Sequence, residues 1–199
     1  MSWAETGIAV AEWYRCLHRA GREALKRPET LPPGLHAWVD DLTGEPLSAA
    51  GEKLELTGKP AWETALHNIE ALKARAQACP QTFNYDDFDR ENLALSQGKN
   101  PLRAVIFDYD CFTLGVTYDD LCNVSFSLKG AARAAFAEAY GPVSETERRL
   151  ELPLINALWP AGSLPARKRA RLGTSAAGRC RKWGAGTLDP EDAGLMRVY

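Results

Sequence analysis

The chain has 199 residues, of which 45% are hydrophobic and 25% charged, and its formal net charge is −2 at pH 7. This length and apolar content are sufficient for a single domain with a buried core and argue against a disordered chain. No apolar stretch approaches the roughly 20 residues that span a bilayer, and Glu5 stands where a secretory signal needs a basic start, so we expect a cytoplasmic protein without a membrane segment.

An amphipathic helix is predicted at the amino terminus. Ser2 and Glu5 have the spacing of a capping box, in which a hydroxyl and a carboxylate bind free amides of the first turn. The residues that then recur at alternating intervals of four and three predict one buried stripe, formed by Trp3, Gly7, Val10, Tyr14 and Leu17. Gly21 is the expected helix end. His18 is interpreted as a packed or helix-terminal histidine rather than a catalytic one.

The next part of the chain is predicted to be a loop followed by a second helix. Four prolines interrupt the segment from Lys26 to Gly58, which we interpret as a loop with one short helix near residues 35–42. A long helix is predicted from Pro60 to Ala78, because its apolar residues lie on one face. Pro80 then ends the helical segment.

The polar residues with the most specific spacing follow Pro80. Asp87 is followed five residues later by Asn92, and Asp108 ends the apolar run of residues 104–107. Phosphoryl transfer needs a carboxylate beside the attacking hydroxyl and hard oxygen ligands for the Mg²⁺ that bridges the phosphates. Asp87 can supply the first, and Asn92 and Asp108 the second. The spacing makes phosphoryl transfer the leading hypothesis.

A β-hairpin is predicted to bring the two metal ligands together. Leu93 to Leu95 and Leu102 to Phe107 have the composition of short strands, and residues 96–101 between them are rich in turn formers. Such a hairpin returns Asp108 to the neighbourhood of Asn92. Two oxygen ligands distant in sequence would then converge on one cation.

Helices are predicted again after this hairpin. Asp119 and Asp120 are interpreted as turn and cap residues of a helix that follows the metal-binding strand. If they lie near a cleft, their charges would suit a cationic acceptor. Residues 128–140 form a further amphipathic pattern that Gly141 closes, and Ser144 and Glu147 have the spacing of a second capping box.

The end of the chain is basic. No acidic residue lies between Glu151 and Asp189, and this interval holds seven cations, namely Arg167, Lys168, Arg169, Arg171, Arg179, Arg181 and Lys182. We interpret residues 159–199 as a solvated, partly disordered tail rather than a nucleic-acid surface, because only Trp183 offers an aromatic ring for base stacking.

The segments "TFNYDDFDRENLAL" and "AVIFDYDCFTLGVTYDDLCNV" resemble the catalytic core of the aminoglycoside phosphotransferase and choline kinase family of kinase-like small-molecule phosphotransferases. The helix "AVAEWYRCLHRAG" is similar to the family helix that follows the hinge between lobes. The resemblance implies an α+β, mainly α-helical, kinase-like carboxy-terminal lobe over residues 1–158. It also implies ATP as phosphoryl donor, Mg²⁺ held by Asn92 and Asp108, Asp87 as catalytic base, and a small-molecule alcohol such as an aminoglycoside or amino alcohol as acceptor.

The chain also differs from the family pattern. Tyr85 and Asp86 stand where the family usually has His and Gly, and we expect the Tyr85 hydroxyl to hold the loop by a hydrogen bond. Asp86 places a like charge beside Asp87. No segment resembles the glycine-rich loop and strand lysine of an amino-terminal lobe. The expectation is therefore a weakly active or inactive lobe that needs an upstream lobe or an oligomeric partner to position ATP.

Two alternatives remain open. The run from Val105 to Leu114 also resembles the first motif of haloacid-dehalogenase-like phosphatases, in which Asp108 would be the nucleophile and Asp110 the acid/base. In the kinase-like interpretation Asp110 is an auxiliary candidate. The second alternative is a non-catalytic kinase-like module that binds a nucleotide or a protein. The phosphatase alternative leaves Asp87 and Asn92 without a role.

Overall fold

The computed structural model describes residues 2–53, 55–96 and 101–150, and it is an α+β fold dominated by helices. The helices are α1 (Trp3–Ala24), α2 (Gly44–Lys53), α3 (Pro60–His67), α4 (Ile69–Ala78), α5 (Thr117–Ser127) and α6 (Gly130–Tyr140). The strands are β1 (Gln81–Asn84), β2 (Leu93–Leu95), β3 (Ala104–Ile106) and β4 (Thr113–Val116). Short 3₁₀ helices cover Pro28–Thr30, Trp38–Asp41 and Arg90–Asn92. Residues 145–150 are again helical.

Helix α1 begins as predicted and ends later than predicted. The capping box is present, since the Glu5 amide donates to the Ser2 hydroxyl and the Ser2 amide donates to the Glu5 carboxylate. The expectation that Gly21 ends the helix is wrong, because the helix continues to Ala24. Gly21 is instead a point of close approach. A Cβ there would lie 2.2 Å from the Phe83 amide nitrogen, so the glycine lets α1 lie directly on β1.

The main hydrophobic core lies between α1, the segment that carries Tyr85 and Phe88, and helices α5 and α6. Its buried members include Val10, Tyr14, Tyr85, Phe88, Ile106, Leu121, Val124 and Phe136. The core face predicted for α1 is therefore confirmed at Val10 and Tyr14, whereas Trp3 is 77% exposed. Because Trp3 precedes the first contact of α1 with α6, its side chain remains in solvent.

A second hydrophobic cluster joins the segment before β1. Its buried members are Val39, Leu42, Leu47, Trp62, Ile69 and Ala76, contributed by α2, α3, α4 and the turn before α2. The predicted short helix near residues 35–42 is partly confirmed as the 3₁₀ helix Trp38–Asp41, and α2 was not predicted. The prediction of a single helix from Pro60 to Ala78 is wrong, because the helical segment breaks at Asn68. The side-chain amide of Asn68 donates to the Thr64 carbonyl at 2.8 Å and competes with the helical hydrogen bonds.

The strands form two separate antiparallel pairs. Strand β2 pairs with β3 in the register Leu93 to Ile106, which confirms the predicted hairpin. Strand β1 pairs with β4 in the register Gln81 to Val116, and neither of these strands was predicted. The chain therefore enters the candidate catalytic loop from one sheet and leaves it in the other.

The remaining sequence predictions have different outcomes. Helix α6 runs to Tyr140 and ends before Gly141, as predicted. In the second capping box the Glu147 amide donates to the Ser144 hydroxyl at 3.2 Å, but the Glu147 carboxylate accepts from the Tyr118 amide at the start of α5. The end of the predicted lobe and the basic tail, residues 151–199, lie outside the described residues. Within the described residues, no helix combines the length and apolarity needed to cross a membrane.

Candidate active site

Asp87 and Asn92 lie at the two ends of one tight turn. The 3₁₀ helix Arg90–Asn92 is capped by Asp89, whose carboxylate accepts from the Glu91 amide at 3.0 Å. This turn directs the buried Asn92 side chain back toward Asp87. Its Nδ2 donates to the Asp87 carbonyl at 3.2 Å and lies 3.5 Å from Oδ2 of the Asp87 carboxylate. Asp87 and Asn92, which are five positions apart in the sequence, are therefore in direct contact.

In the hairpin, Asp108 directly follows Phe107, the residue that pairs with Asn92. The Phe107 amide donates to the Asn92 carbonyl at 2.9 Å and continues the pairing of β2 with β3. Asp108 follows with φ of 61°, a left-handed conformation that is uncommon for a residue with a side chain. Its side chain is exposed, whereas Asp87 is half-buried. The Asp108 carboxylate is therefore open to solvent, and the Asp87 carboxylate is partly so.

Tyr85 connects the candidate catalytic loop to the segment between β3 and Asp108. Its hydroxyl donates to the Phe107 carbonyl, which confirms the expected role of this hydroxyl in holding the loop. The Tyr85 ring is buried against Trp13 and Tyr109. Burial raises the pKa of Tyr85, and the charges of Asp87 and Asp108 raise this pKa further. Both carboxylates of the candidate site therefore act on this one hydroxyl.

Asp86 has a structural role that its sequence position did not reveal. Its φ is 57°, so the backbone is left-handed at the place where the family that the chain resembles has glycine. Aspartate tolerates this conformation better than most residues. The Asp86 amide donates to Asp120 at 2.7 Å, and its carboxylate accepts from Asn123 of α5 at 2.5 Å. Of the neighbouring carboxylates Asp86 and Asp87, that of Asp86 is therefore hydrogen-bonded to α5.

Asp120 anchors the loop through hydrogen bonds with its backbone amides. It is fully buried, and its two oxygens accept from the Tyr85 amide at 3.1 Å, from the Asp86 amide at 2.7 Å and from His18 at 3.0 Å. The expectation that Asp119 and Asp120 could attract a cationic acceptor is wrong. Both lie in the first turn of α5 with exposed fractions of 5% and 0%, so a substrate cannot reach them.

His18 extends this anchor into α1 and α6. Its Nε2 is bonded to Asp120, its Nδ1 lies 2.7 Å from the Tyr140 hydroxyl, and its carbonyl accepts from Thr82. The prediction of a packed rather than catalytic histidine is confirmed, since the side chain is fully buried. The pairing of His18 with Asp120 was not predicted. The signal available in the sequence was an aspartate on the same face of α5 as the apolar Val124, because a buried charge requires a partner.

The donor set of the candidate site fits Mg²⁺ better than a softer metal. The described residues contain no group of three or more His, Cys, Asp and Glu side chains placed to hold a metal ion. Asp87, Asn92 and Asp108 offer only oxygen ligands, and Asn92 directs its nitrogen to Asp87, which leaves its oxygen as the ligand atom. Mg²⁺ commonly uses one or two carboxylates and keeps several waters, so this small set is sufficient.

Comparison with known proteins adds no assignment. No protein-family model, no curated protein and no solved structure matches the chain. The resemblance to kinase-like phosphotransferases therefore stays a prediction, and the function must be inferred from the side chains described above.

Proposed function

We propose that the protein is a phosphotransferase that moves the γ-phosphate of ATP to a hydroxyl of a small molecule. The observation that carries this proposal is the contact of Asn92 with Asp87 on one side and its backbone pairing with Phe107, the residue before Asp108, on the other. These contacts join the two segments that carry the three side chains the chemistry requires, and this supports the proposal. A kinase-like carboxy-terminal lobe is the proposed fold family.

Asp87 is the proposed base. Its carboxylate is half-buried and is oriented by the Asn92 amide, so its position is fixed before a substrate arrives. A carboxylate so placed accepts the proton of the attacking hydroxyl as the new phosphate ester bond forms, and ADP leaves with the electrons of the broken bond. Positioning of this kind is a major source of rate in phosphoryl transfer.

Asn92 and Asp108 are the residues that would hold Mg²⁺. When bound, this ion neutralises the charge that develops on the transferred phosphoryl group. The backbone hydrogen bond between Asn92 and Phe107 links the two segments that carry the proposed ligands. The left-handed backbone of Asp108 turns its carboxylate away from the strand direction.

The buried Asp120 supports the site without contacting a substrate. By accepting from both the Tyr85 and Asp86 amides, it fixes the two residues that precede Asp87. Because those amides are buried, loss of this acceptor would leave them without a partner. We therefore assign Asp120 a positioning role.

The phosphatase alternative is ranked second. It uses Asp108 as a nucleophile and Asp110 two residues later, and both side chains are exposed. It gives no role to the contact between Asn92 and Asp87. The binding-module alternative shares the proposed metal ligands and differs only in having no turnover.

Calorimetry with Mg·ATP tests the metal ligands. Asp108→Asn should weaken Mg²⁺-dependent ATP binding by about tenfold or more, because a carboxylate ligand contributes on the order of 1.5–3 kcal/mol. Glu91→Gln is the matched control, since Glu91 is exposed on the same turn and should leave the affinity unchanged. Equal affinities in the wild type and Asp108→Asn would contradict the assignment.

Turnover distinguishes the three functions. On a panel of alcohols with ATP, Asp87→Asn should lower phosphoryl transfer by roughly 10²–10⁴-fold, the usual contribution of a positioned base. A phosphoryl adduct on Asp108, detected by mass spectrometry after incubation with an aryl phosphate, would instead favour the phosphatase. Tight Mg·ATP binding without transfer to any alcohol would favour the binding module only if transfer also stays absent after an upstream lobe or partner that positions ATP is supplied.

A further inference from the structure

Helix α1 carries three arginines on a face remote from the candidate active site. Arg15, Arg19 and Arg22 are spaced by four and three residues, so they project from one side of the helix. All three are exposed and line an open cavity of about 410 Å³. The other walls come from the start of α5, the end of α6 and the segment after it, namely Thr117, Tyr140, Pro142, Val143, Ser144 and Glu147. None of Asp87, Asn92 and Asp108 lines this cavity.

The arginines make no close ion pair in the described part of the chain, although the charge of Arg22 acts on Glu23 and Glu147. Among residues 2–53, 55–96 and 101–150, none of the three forms an ion pair with an acidic side chain. Glu23, on the next turn of α1, is bound by Lys26 at 2.8 Å. Glu145 is likewise bound by Arg148 and Arg149.

The acidic side chain that lines the cavity, Glu147, is also engaged. It is 6% exposed, and its carboxylate accepts from the Tyr118 amide at 3.1 Å. It therefore offsets only part of the charge of three guanidinium groups. The cavity keeps a net positive charge.

Two of the arginines are already partly oriented. Arg15 donates from one nitrogen to the Ala139 carbonyl at the end of α6, and Arg19 approaches the Cys16 sulfur. A guanidinium has five donors, so each of these side chains keeps most of its capacity for a ligand. Hydroxyls of Thr117 and Ser144 add donors from the opposite wall.

We propose that this cavity is a binding site for a small-molecule phosphate, either a phosphate monoester or a diphosphate. Planar guanidinium groups match the geometry of phosphate oxygens and bind them through paired hydrogen bonds. Three such groups with two hydroxyls provide the charge and the donors that a dianion requires. The volume of the cavity suits a phosphate with a small organic group. The proposal is independent of the phosphotransferase assignment.

Isothermal titration calorimetry with pyrophosphate and with inorganic phosphate, in EDTA and without Mg²⁺, tests this site. The wild type should bind pyrophosphate more tightly than phosphate, and added NaCl should weaken both. The double variant Arg19→Gln with Arg22→Gln should lose affinity by about a hundredfold, roughly tenfold for each charged hydrogen-bonding partner. Arg133→Gln, an exposed arginine of α6 outside the cavity, should bind like the wild type.

Two further variants keep the test decisive. Arg19→Gln alone removes an exposed side chain that contacts the neighbouring Cys16, so it should fold normally and still weaken pyrophosphate binding about tenfold. Asp108→Asn should leave pyrophosphate binding unchanged, which separates this cavity from the proposed metal site. Circular dichroism verifies the fold of each variant.

Three results would overturn the proposal. The first is a wild type that binds neither probe. The second is equal affinity in the double arginine variant and Arg133→Gln. The third is binding to phosphatidylglycerol vesicles without binding to soluble pyrophosphate, which would identify the arginine face as a membrane contact instead.

Discussion

The buried contacts of Tyr85 determine how the candidate catalytic loop is held. Its amide is fixed by Asp120 of α5, and its hydroxyl is fixed by the carbonyl of Phe107 beside Asp108. One side chain thus connects the loop of Asp87 to the strand of Asp108. A serine or a phenylalanine at this position would not make both the packing and the hydroxyl contact.

Tyr85→Phe should lower the free energy of unfolding by about 1 kcal/mol, the usual net value of one hydrogen bond, while the ring contacts remain. Urea denaturation measures this change. Tyr109→Phe is the matched control, because the Tyr109 ring packs edge-on against Tyr85 and its hydroxyl has no hydrogen bond to another described residue. We expect less than about 0.5 kcal/mol for the control. A loss in Tyr109→Phe equal to that in Tyr85→Phe would contradict the role of the hydroxyl.

At the same scale, the sequence indicates candidate site residues more readily than the residues that support them. Asp87, Asn92 and Asp108 were identified because their types and spacing are specific, and two of them are in contact. Asp120 was interpreted as a cap residue because aspartate is common in the first turn of helices. Its role depends on His18, which lies 102 positions away in the sequence. Pairing over that distance cannot be predicted from local patterns.

Among the helices, the crossing of α1 and α6 depends on the absence of a side chain at Gly7. A Cβ at Gly7 would lie 2.1 Å from the Ala132 carbonyl oxygen and 3.0 Å from the Phe136 amide nitrogen. These are backbone atoms of a helix and cannot move without shifting α6. The two helices can therefore remain in contact only with glycine at this position.

Gly7→Ala should destabilise the protein by about 1–3 kcal/mol, the usual cost of overpacking, despite the better helix propensity of alanine. Gly44→Ala in α2 is the control, since a Cβ there meets no atom within 4 Å. It should be neutral or stabilise by up to about 1 kcal/mol. Thermal unfolding followed by circular dichroism measures both, and a stabilising Gly7→Ala would refute the close crossing.

The elements themselves were predictable where they were long and amphipathic. The start of α1 and the course of α6 follow from capping residues and apolar periodicity. Strands β1 and β4 have only four residues each and pair across about thirty positions, so no turn signal marks them. Helix α2 was not predicted because Pro46 was interpreted as a sign of a loop. The proline is tolerated because it lies in the first turn, where amides lack helical partners.

Across the whole molecule, the two hydrophobic clusters are joined by a narrow connection. The Leu114 amide of β4 donates to the His36 carbonyl at 3.0 Å, and Ala37 forms an isolated bridge with Leu114. Cluster-forming residues of α2 and α3 otherwise pack among themselves. We therefore expect the segment of residues 36–78 to open separately from the core around α1 and α6.

Leu47→Ala tests this expectation, because Leu47 is 1% exposed in the second cluster. The substitution should cost about 2–5 kcal/mol and should reduce amide protection in α2, α3 and α4 much more than in α1 and α6. Hydrogen exchange followed by mass spectrometry measures both regions. Val124→Ala in the main core is the counterpart and should reduce protection in α1, α5 and α6. Equal losses in all helices after Leu47→Ala would show one cooperative unit instead.

The hydrogen bond that the Glu147 carboxylate accepts from the Tyr118 amide affects the order in which the protein folds during synthesis. Helix α5 carries Asp120, but the side chain that binds its first turn is made later, after α6. Helix α1 precedes α6 in the chain, so it likewise lacks the α6 surface that buries its apolar stripe until residues 130–140 have been translated. The nascent chain therefore exposes the loop of Asp87 without its Asp120 anchor until residue 120 has been translated. Assembly of the candidate site is expected to be among the last folding events, after residue 147 has emerged.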